Sequence, residues 1–258
     1  MNSWDPARTG SAMKTSNKIR DRLIFALDLL EDLEDAVRWA SLLKDHVGMF
    51  KIGKEAFTRF GPRIVSSIHE GGGKVFLDLK FHDIPNTVAM ASQAAVRQGI
   101  AMFNMHALGG PEMMKRAVDS VKKTSHDLGV APPVLLAVTV LTSLNDSDIS
   151  GMGFHCTVAE LVRKLAVAAR DAGASGVVAS AQDIVPIRKA CGEDFLIVTP
   201  GIRPAARVAD DDQKRVLTPR EAIAMGADYL VVGRPIRLAD DPVAVADSIV
   251  EDMAAGLR

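Results

Sequence analysis

Several ionisable side chains are concentrated in one short segment, Lys74-Val75-Phe76-Leu77-Asp78-Leu79-Lys80-Phe81-His82-Asp83-Ile84-Pro85-Asn86-Thr87. Residues 75–79 have the length and composition of a strand buried on both faces, and Pro85 and Asn86 close it with turn chemistry and a helix start. Because side chains alternate along a strand, Asp78 and Lys80 are expected on the same side, with Cα atoms about 6.5 to 7 Å apart. A carboxylate and an ammonium therefore share one pocket.

The Asp78 and Lys80 pair has two interpretations. An isolated Asp-x-Lys pair is more often a structural ion pair at the rim of a barrel, because ion-pair networks with a purely structural role also shift pKa values. Here a third charge, Asp83, and a hydroxyl group, Thr87, follow within one turn and the start of the next helix. Loops on a rigid scaffold often carry function, so these neighbours favour a reactive site.

Short apolar runs alternate with longer segments of helical period, which predicts βαβ units and a parallel sheet. The predicted strands cover residues 23–27, 49–52, 75–79, 101–105, 134–140, 176–179, 196–198 and 229–232. The predicted helices cover about 31–46, 55–69, 86–98, 111–127, 158–172, 182–190 and 242–255, and a long polar loop runs through residue 153. Eight strands with helices between them favour a closed (β/α)8 TIM barrel, an α/β fold in a single domain. No Gly-x-Gly-x-x-Gly follows the first strand, which argues against a dinucleotide-binding sheet.

Length and composition agree with this fold and exclude several function classes. A chain of 258 residues suits one α/β barrel. Its 31 Lys and Arg balance 32 Asp and Glu, and no basic run predicts a nucleic-acid partner. Cys156 and Cys191 have no Cys-x-x-Cys spacing, which predicts a reducing, cytoplasmic compartment without a disulfide framework or zinc site.

The ends of the chain and its hydropathy give three further expectations. Residues 1–20 are polar and lack the apolar stretch of a secretion signal, so they are predicted to form a disordered tail before a barrel domain at 21–258. No uninterrupted apolar run reaches about 18 residues, so no membrane span is expected.

In a barrel, the active site lies at the C-terminal ends of the strands. The first three predicted strands are neighbours and end with Asp28, Lys51 and the Asp78/Lys80 pair. These side chains are expected to converge as alternating carboxylates and ammonium groups. Lys51 alone could equally be an ordinary lysine at the rim, but as one of a convergent set it becomes a site residue.

The last two strands supply the parts of a phosphate site. Barrels frequently bind phosphate in the loops after strands seven and eight, through backbone N–H groups and a helix N-terminus. Gly201 and Gly233 allow the backbone to approach an anion, while Arg203 and Arg234 offer bidentate donors. Two Gly and Arg sets at the closing strands predict a phosphorylated ligand.

Residues 204–214 have no clear period and form a long connection. The sequence allows two interpretations of this segment, a mobile lid over the site or an ordinary surface loop.

The segment from Asp78 to Thr87 resembles the signature Asp-x-Lys-x-x-Asp-Ile-Pro-Asn-Thr of the orotidine 5'-phosphate decarboxylase family, and it matches without departure. The resemblance extends from about Arg22 to the C-terminus. It implies a cofactor-independent, metal-free enzyme that converts orotidine 5'-monophosphate (OMP) to uridine 5'-monophosphate (UMP), the last step of de novo pyrimidine nucleotide synthesis.

The resemblance also implies roles for individual residues. Lys80 would stabilise negative charge at C6 of the pyrimidine and protonate it. Asp78 would crowd the departing carboxylate together with Asp83 of the partner subunit in a homodimer. Substrate-binding residues would be Asp28 and Lys51 at the ribose, Thr142 at the pyrimidine, and, at the phosphate or elsewhere in the site, Thr87, Arg203, Gln213, Gly233 and Arg234.

The sequence also suggests three alternatives to this activity, namely a sugar-phosphate enzyme, a non-catalytic binding protein and a metal site. Sugar-phosphate decarboxylases and aldolases, such as the keto-gulonate phosphate decarboxylases and hexulose phosphate synthases, share Asp-x-Lys-x-x-Asp but use magnesium. They typically place a metal-binding Glu where this chain has Lys51. A non-catalytic phosphoribosyl-binding barrel would not need the complete charge array. His82 and His106 suggest a metal site, but no histidine pair has ligand spacing, so none is predicted.

Overall fold

In the computed structural model, which describes residues 19–203 and 217–257, parallel strands β1 to β8 close into a barrel in chain order. Each strand pairs with the next and β8 pairs with β1, which confirms the predicted (β/α)8 fold. The strands are β1 Leu23–Ala26, β2 Met49–Gly53, β3 Val75–Phe81, β4 Met102–His106, β5 Val134–Val138, β6 Gly176–Val178, β7 Leu196–Pro200 and β8 Tyr229–Val232. Strand ends lie within two residues of the predicted ends, and β8 has the predicted bounds.

Helices cover the outside of the barrel. A 3-10 helix at Ile19–Arg22 leads into β1. The α-helices of the described residues are α1 Leu33–Leu43, α2 Lys54–Phe60, α3 Arg63–Glu70, α4 Pro85–Arg97, α5 Gly110–Leu128, α6 Asp146–Gly151, α7 Val158–Asp171, α8 Ile184–Cys191, α9 Pro219–Ala224, α10 Arg234–Arg237 and α11 Pro242–Ala255.

The single helix predicted over 55–69 is wrong, because the chain forms two helices, α2 and α3, in its place. Gly61 takes a φ of 62° and ends α2, a left-handed conformation that glycine adopts without a steric penalty. Pro62 follows it, and a proline ring disfavours helical backbone in the residue before it. The apolar residues keep a helical spacing across this break. The Gly61-Pro62 pair is the sequence feature that indicates two helices instead of one.

The predicted polar loop after β5 contains a short helix, α6, that the sequence analysis missed. Asn145 accepts hydrogen bonds from the backbone N–H groups of Ser147 and Asp148, and the Asp148 carboxylate accepts one from the backbone N–H of Asn145. This reciprocal capping box satisfies donors at the helix start and stabilises a helix of only six residues.

The described residues form two apolar clusters. The larger one lies between the strands and the surrounding helices. The smaller one fills the barrel interior and includes Ile24 and Ala26 of β1, Met49 of β2, Phe76 of β3 and Met102 of β4. Because side chains alternate with period two, the residues two positions further along these strands face the same interior, one layer nearer the C-terminal rim.

Parts of two expectations lie outside the described residues. They are most of the predicted tail at 1–20, of which only Ile19 and Arg20 are described, and the predicted lid at 204–214 with Gln213. Within 19–203 and 217–257, no helix combines the length and apolar character needed to cross a membrane.

Candidate active site

Four charged side chains meet at the C-terminal rim of β1 to β3, as the sequence predicted. Lys51 Nζ lies 3.3 Å from Asp28 Oδ1 and 3.7 Å from Asp78 Oδ2, and Lys80 Nζ lies 2.6 Å from Asp78 Oδ1. Lys51 and Asp78 each follow an interior apolar residue, Met49 and Phe76, by two positions. Strand alternation therefore places the charged array directly above the apolar interior of the barrel.

The backbone of Lys80 departs from the regular strand that the sequence predicted. Its φ is 53°, in the left-handed region that residues other than glycine rarely adopt, and the register between β3 and β4 shifts between Leu77 and Phe81. Such irregularities re-aim side chains and concentrate at functional sites. Lys80 thus reaches Asp78 through a local bulge rather than through simple alternation.

Asn104 of β4 is a site residue that the sequence analysis missed. It is fully buried, and its Oδ1 accepts a hydrogen bond of 2.7 Å from the backbone N–H of Lys80. Its Nδ2 donates one of 2.7 Å to Asp78 Oδ1. One amide therefore fixes both the carboxylate and the strained backbone of the lysine.

A signal for Asn104 was present in the sequence. Asn104 is a polar residue within an apolar strand and follows the interior residue Met102 by two positions, just as Asp78 follows Phe76. Phe76 and Met102 are paired across β3 and β4, so this spacing places the two polar residues on the same interior layer.

Asp78 is ionised despite its burial. Burial alone raises the pKa of this carboxyl, but the ammonium groups of Lys51 and Lys80, together with hydrogen bonds from Lys80 and Asn104, outweigh it. The net effect is a pKa below the usual range for aspartate. The site therefore holds a fixed negative charge between two positive ones at neutral pH.

A cavity of about 180 Å³ opens above this array. Its polar lining includes Lys51, Asp78, Lys80 and Thr142, and its apolar lining comes from the ends of several strands and the loop after β5, namely Phe76, Val138, Val140, Leu141, Val178, Ala179, Pro200 and Val231. Thr142 therefore lies at the same cavity as the charged groups. Asp28 is exposed beside it and joins the array through Lys51.

The predicted phosphate-binding residues follow β7 and β8. Gly201 has a φ of 78°, and a Cβ on Gly233 would lie 3.2 Å from Ala26 Cβ, so both positions suit glycine. Arg203 is partly buried, and Arg234 is exposed at the first position of α10. The same rim therefore carries both glycines and both arginines. Gly233 and Arg234 lie one strand away from Asp28, and Gly201 and Arg203 lie two strands away.

Asp83 and Thr87 are both exposed, and neither belongs to the described lining of the cavity. The Asp83 carboxylate accepts a hydrogen bond from the backbone N–H of Ile84 at 2.7 Å. Within this chain, these two signature residues thus lie at the surface and not in the cavity.

Comparison with known sequences identifies the family. A sequence model of the Orotidine 5'-phosphate decarboxylase / HUMPS family matches residues 21–249, which include every strand of the barrel. The chain belongs to this family.

Individual family members agree over nearly the whole chain. Orotidine 5'-phosphate decarboxylase of Syntrophus aciditrophicus is 62% identical over 237 residues, covering 92% of this chain and 94% of that protein. The protein of the same name from Geotalea daltonii is 53% identical over 242 residues, covering 94% of this chain and all of its own length. The crystal structure of orotidine 5'-phosphate decarboxylase from Lactobacillus acidophilus superposes with a TM-score of 0.79 at 38% identity, covering 90% of this chain and 98% of that one.

His82 and His106 form a stacked pair beside the decarboxylase signature, with ring centroids 5.3 Å apart and planes 24° apart. Burial, followed by the charges of His82, Lys54 and Lys80, lowers the pKa of His106 to about 4. Among the described residues, no group of three histidine, cysteine or acidic side chains could hold a metal ion. His106 is therefore neutral at neutral pH and stacks on the ring of His82.

We expect the stability of the protein to fall between pH 6.5 and pH 4 through His106. In the unfolded chain the imidazole takes up a proton near pH 6.5, whereas the folded chain resists this until about pH 4, so acid favours unfolding over that interval. The loss should be about 1 to 2 kcal/mol, roughly half the value for a fully buried group, because His106 is only half buried. Denaturant unfolding at several pH values measures this loss, and His106→Gln should flatten the dependence; an equally steep dependence in that variant would contradict the assignment.

Proposed function

We propose that this chain decarboxylates OMP to UMP, the last step of de novo pyrimidine nucleotide synthesis. The observation that carries the proposal is the alternating array of Asp28, Lys51, Asp78 and Lys80, whose members lie within 2.6 to 3.7 Å of their neighbours. Membership of the family, and relatives named for this activity at 50 to 62% identity, support the same assignment.

The chemistry explains why the site needs fixed cations. When the bond between C6 and the carboxylate breaks, carbon dioxide leaves and the electron pair remains on C6, where the pyrimidine ring cannot delocalise it. The Lys80 ammonium stabilises this charge and donates its proton to C6, and the resulting amine recovers a proton from solvent. Dipoles and charges that are already in place cost no reorganisation during the reaction.

Asp78 acts mainly by orienting Lys80. Its lowered pKa keeps it ionised, and its bond of 2.6 Å to Lys80 Nζ fixes the ammonium. Asp78 also opposes the substrate carboxylate, and Asp83 of the partner subunit adds to that repulsion. Preorganisation of Lys80 and repulsion in the ground state both promote cleavage of the bond between C6 and the carboxylate. The hydrogen-bonded geometry supports preorganisation as the larger effect.

The substrate extends from the cavity to the rim. Ligand pockets for drug-sized molecules usually exceed about 300 Å³, so a cavity of about 180 Å³ holds the pyrimidine but not the whole nucleotide. Thr142 contacts the base, and Asp28 and Lys51 bind the ribose hydroxyls. The phosphate binds at the rim through Arg203, Gly233 and Arg234, together with Gln213, which lies outside the described residues, and Thr87 completes the substrate contacts.

The functional unit is a homodimer in which Asp83 completes the neighbouring site. Asp83 is exposed, the next residue, Ile84, is 67% exposed, and Met90 on the following helix, α4, is 56% exposed. Large apolar side chains exposed next to a signature carboxylate support burial of this surface against a second copy. The cysteines at 156 and 191 are free thiols, which supports a reducing, cytoplasmic location.

Mixed dimers should test the shared site. Lys80→Ala and Asp83→Ala homodimers are both expected to be inactive, because each lacks one group in every site. When the two variants are unfolded together and refolded, half of the dimers should be mixed and contain one intact site each, restoring about a quarter of wild-type activity. If the mixture stays inactive while wild-type protein recovers under the same treatment, Asp83 acts within its own subunit.

The decisive experiment for the function is the loss of OMP absorbance, measured for wild-type protein with and without EDTA. We expect turnover that EDTA does not change, because Lys51 occupies the place of a metal-binding Glu and the reaction is carried by lysines. Folded wild-type protein that leaves OMP unchanged, or that loses activity with EDTA, would refute the proposal and favour the magnesium-dependent sugar-phosphate enzymes.

A further inference from the structure

The loop after β1, residues 28–31, is held by arginines from two different helices. Arg59 of α2 donates from Nη1 to the carbonyl of Leu30 at 2.6 Å and from Nη2 to the carbonyl of Glu31 at 2.7 Å. Arg237 of α10 donates from Nη2 to the carbonyl of Leu29. Leu29 needs such support, because its φ of 58° lies in the left-handed region, which is sterically unfavourable for a leucine.

The guanidinium of Arg237 is itself fixed in place. Its Cζ lies 5.6 Å from the centroid of the Trp39 ring, and Trp39 packs against Phe25 of β1 with ring centroids 5.2 Å apart. Its Nη1 is buried without a hydrogen-bond partner among the residues described. The contact with Trp39 and the burial of Nη1 restrain the guanidinium, and its Nη2 is thereby aimed at the Leu29 carbonyl.

Arg237 joins two parts of the substrate site. It lies on α10, the four-residue helix that begins at Arg234 and is preceded by Gly233. The loop that it holds carries Asp28, and a Cβ on Gly233 would lie only 3.9 Å from Asp28 Oδ2. The residues assigned to the phosphate and the residue assigned to the ribose are thus adjacent, and Arg237 provides a direct bond between their segments.

We propose that Arg237 is a positioning residue that couples phosphate binding at Gly233 and Arg234 to the placement of Asp28 against Lys51. This inference rests on the proposed function and adds to it a route by which contacts far from C6 order the charge array. Binding energy from remote parts of a substrate can be used in this way to orient groups at the reacting centre. Arg59 supports the same loop from α2 and takes no part in this coupling.

A double-mutant cycle tests whether Arg237 acts through Asp28. Arg237→Gln should lower kcat/KM for OMP about tenfold when Asp28 is present, and by less than about twofold in the Asp28→Ala background. Arg237→Lys, which keeps a charged donor, should recover most of the loss. Equal losses in both backgrounds, or no loss in either, would overturn the proposal.

Amide hydrogen exchange tests the coupling without relying on turnover. The probe is inorganic phosphate, added until the amides of Gly233 and Arg234 are protected. In wild-type protein we expect exchange in residues 28–31 to slow as well. In Arg237→Gln, phosphate should still protect the amides of Gly233 and Arg234 but should no longer slow exchange in residues 28–31. The matched variant Arg59→Gln should show both effects, as wild-type protein does.

The outcomes separate this inference from the proposed function. If phosphate fails to slow exchange at 28–31 in wild-type protein, or slows it equally in Arg237→Gln, the coupling is refuted even for an active decarboxylase. If folded wild-type protein leaves OMP unchanged, the proposed function fails, and the exchange experiment still decides whether α10 and the Asp28 loop are coupled.

Discussion

Lys80→Ala is expected to lower kcat for OMP decarboxylation by at least about 10⁴-fold while the barrel stays folded. The Lys80 ammonium, 2.6 Å from Asp78, is assigned both stabilisation of the carbanion and its protonation. Positioned proton donors contribute about 10²- to 10⁴-fold, and removal of one electrostatic group typically costs about 10²- to 10³-fold, so loss of both roles places the effect at the high end. Single-turnover loss of OMP absorbance measures it.

Lys74→Ala is the matched control for this variant. Lys74 is an exposed lysine just before β3, at the opposite end of the same strand from Lys80. Its removal changes the net charge equally and should leave kcat within about twofold, since exposed charges far from the site interact weakly with it. Retention of more than about one per cent of activity by folded Lys80→Ala would mean that another group protonates C6.

The barrel itself was predictable because its signals are local and repeated. Eight apolar runs separated by helical segments specify the strand order, and a closed parallel barrel follows from their number. The convergence of Asp28, Lys51, Asp78 and Lys80 followed from strand ends alone, because neighbouring parallel strands end at the same rim. Thr142 was placed at the cavity only through the family resemblance, since the loop after β5 has no period that fixes its position.

Other features depended on geometry that a periodic pattern does not contain. Alternation predicts that Lys80 lies on a regular strand, but its positive φ reflects the bulge against β4 and the bond from its N–H to Asn104. Gly61 and Pro62 divided a segment whose apolar period continues without interruption. The spacing of Asn104 places it on the same layer as Asp78, but its bond to the backbone N–H of Lys80 depends on the bulge, which no pattern in the sequence specifies.

Asn104→Ala is expected to lower kcat about 100-fold and to reduce the free energy of unfolding by about 2 to 4 kcal/mol. The substitution leaves the buried N–H of Lys80 unpaired and removes the amide donor from Asp78, so both members of the reactive pair lose a constraint. It also raises the pKa of Asp78, because one of the hydrogen bonds that lower it is gone. Steady-state kinetics across pH and denaturant unfolding measure the two effects.

Asn104→Asp tests separately the two hydrogen bonds that Asn104 makes, one with the backbone N–H of Lys80 and one with Asp78. The new carboxylate can still accept the N–H of Lys80, so the backbone at Lys80 should be retained, but it cannot donate to Asp78 while ionised. Two carboxylates then lie at the place of a 2.7 Å hydrogen bond, and their repulsion raises the pKa of one of them. Asp78 keeps its ion pairs with Lys51 and Lys80, so the new carboxyl group, which is fully buried, takes the raised pKa, and its protonated form can again donate to Asp78. Activity should therefore fall as pH rises through that pKa, a fall that wild-type protein does not show. An unchanged pH profile in Asn104→Asp, together with near wild-type kcat in Asn104→Ala, would show that Asn104 only fills space in the barrel, and the fixed geometry of Lys80 would then have to come from Asp78 and Lys51 alone.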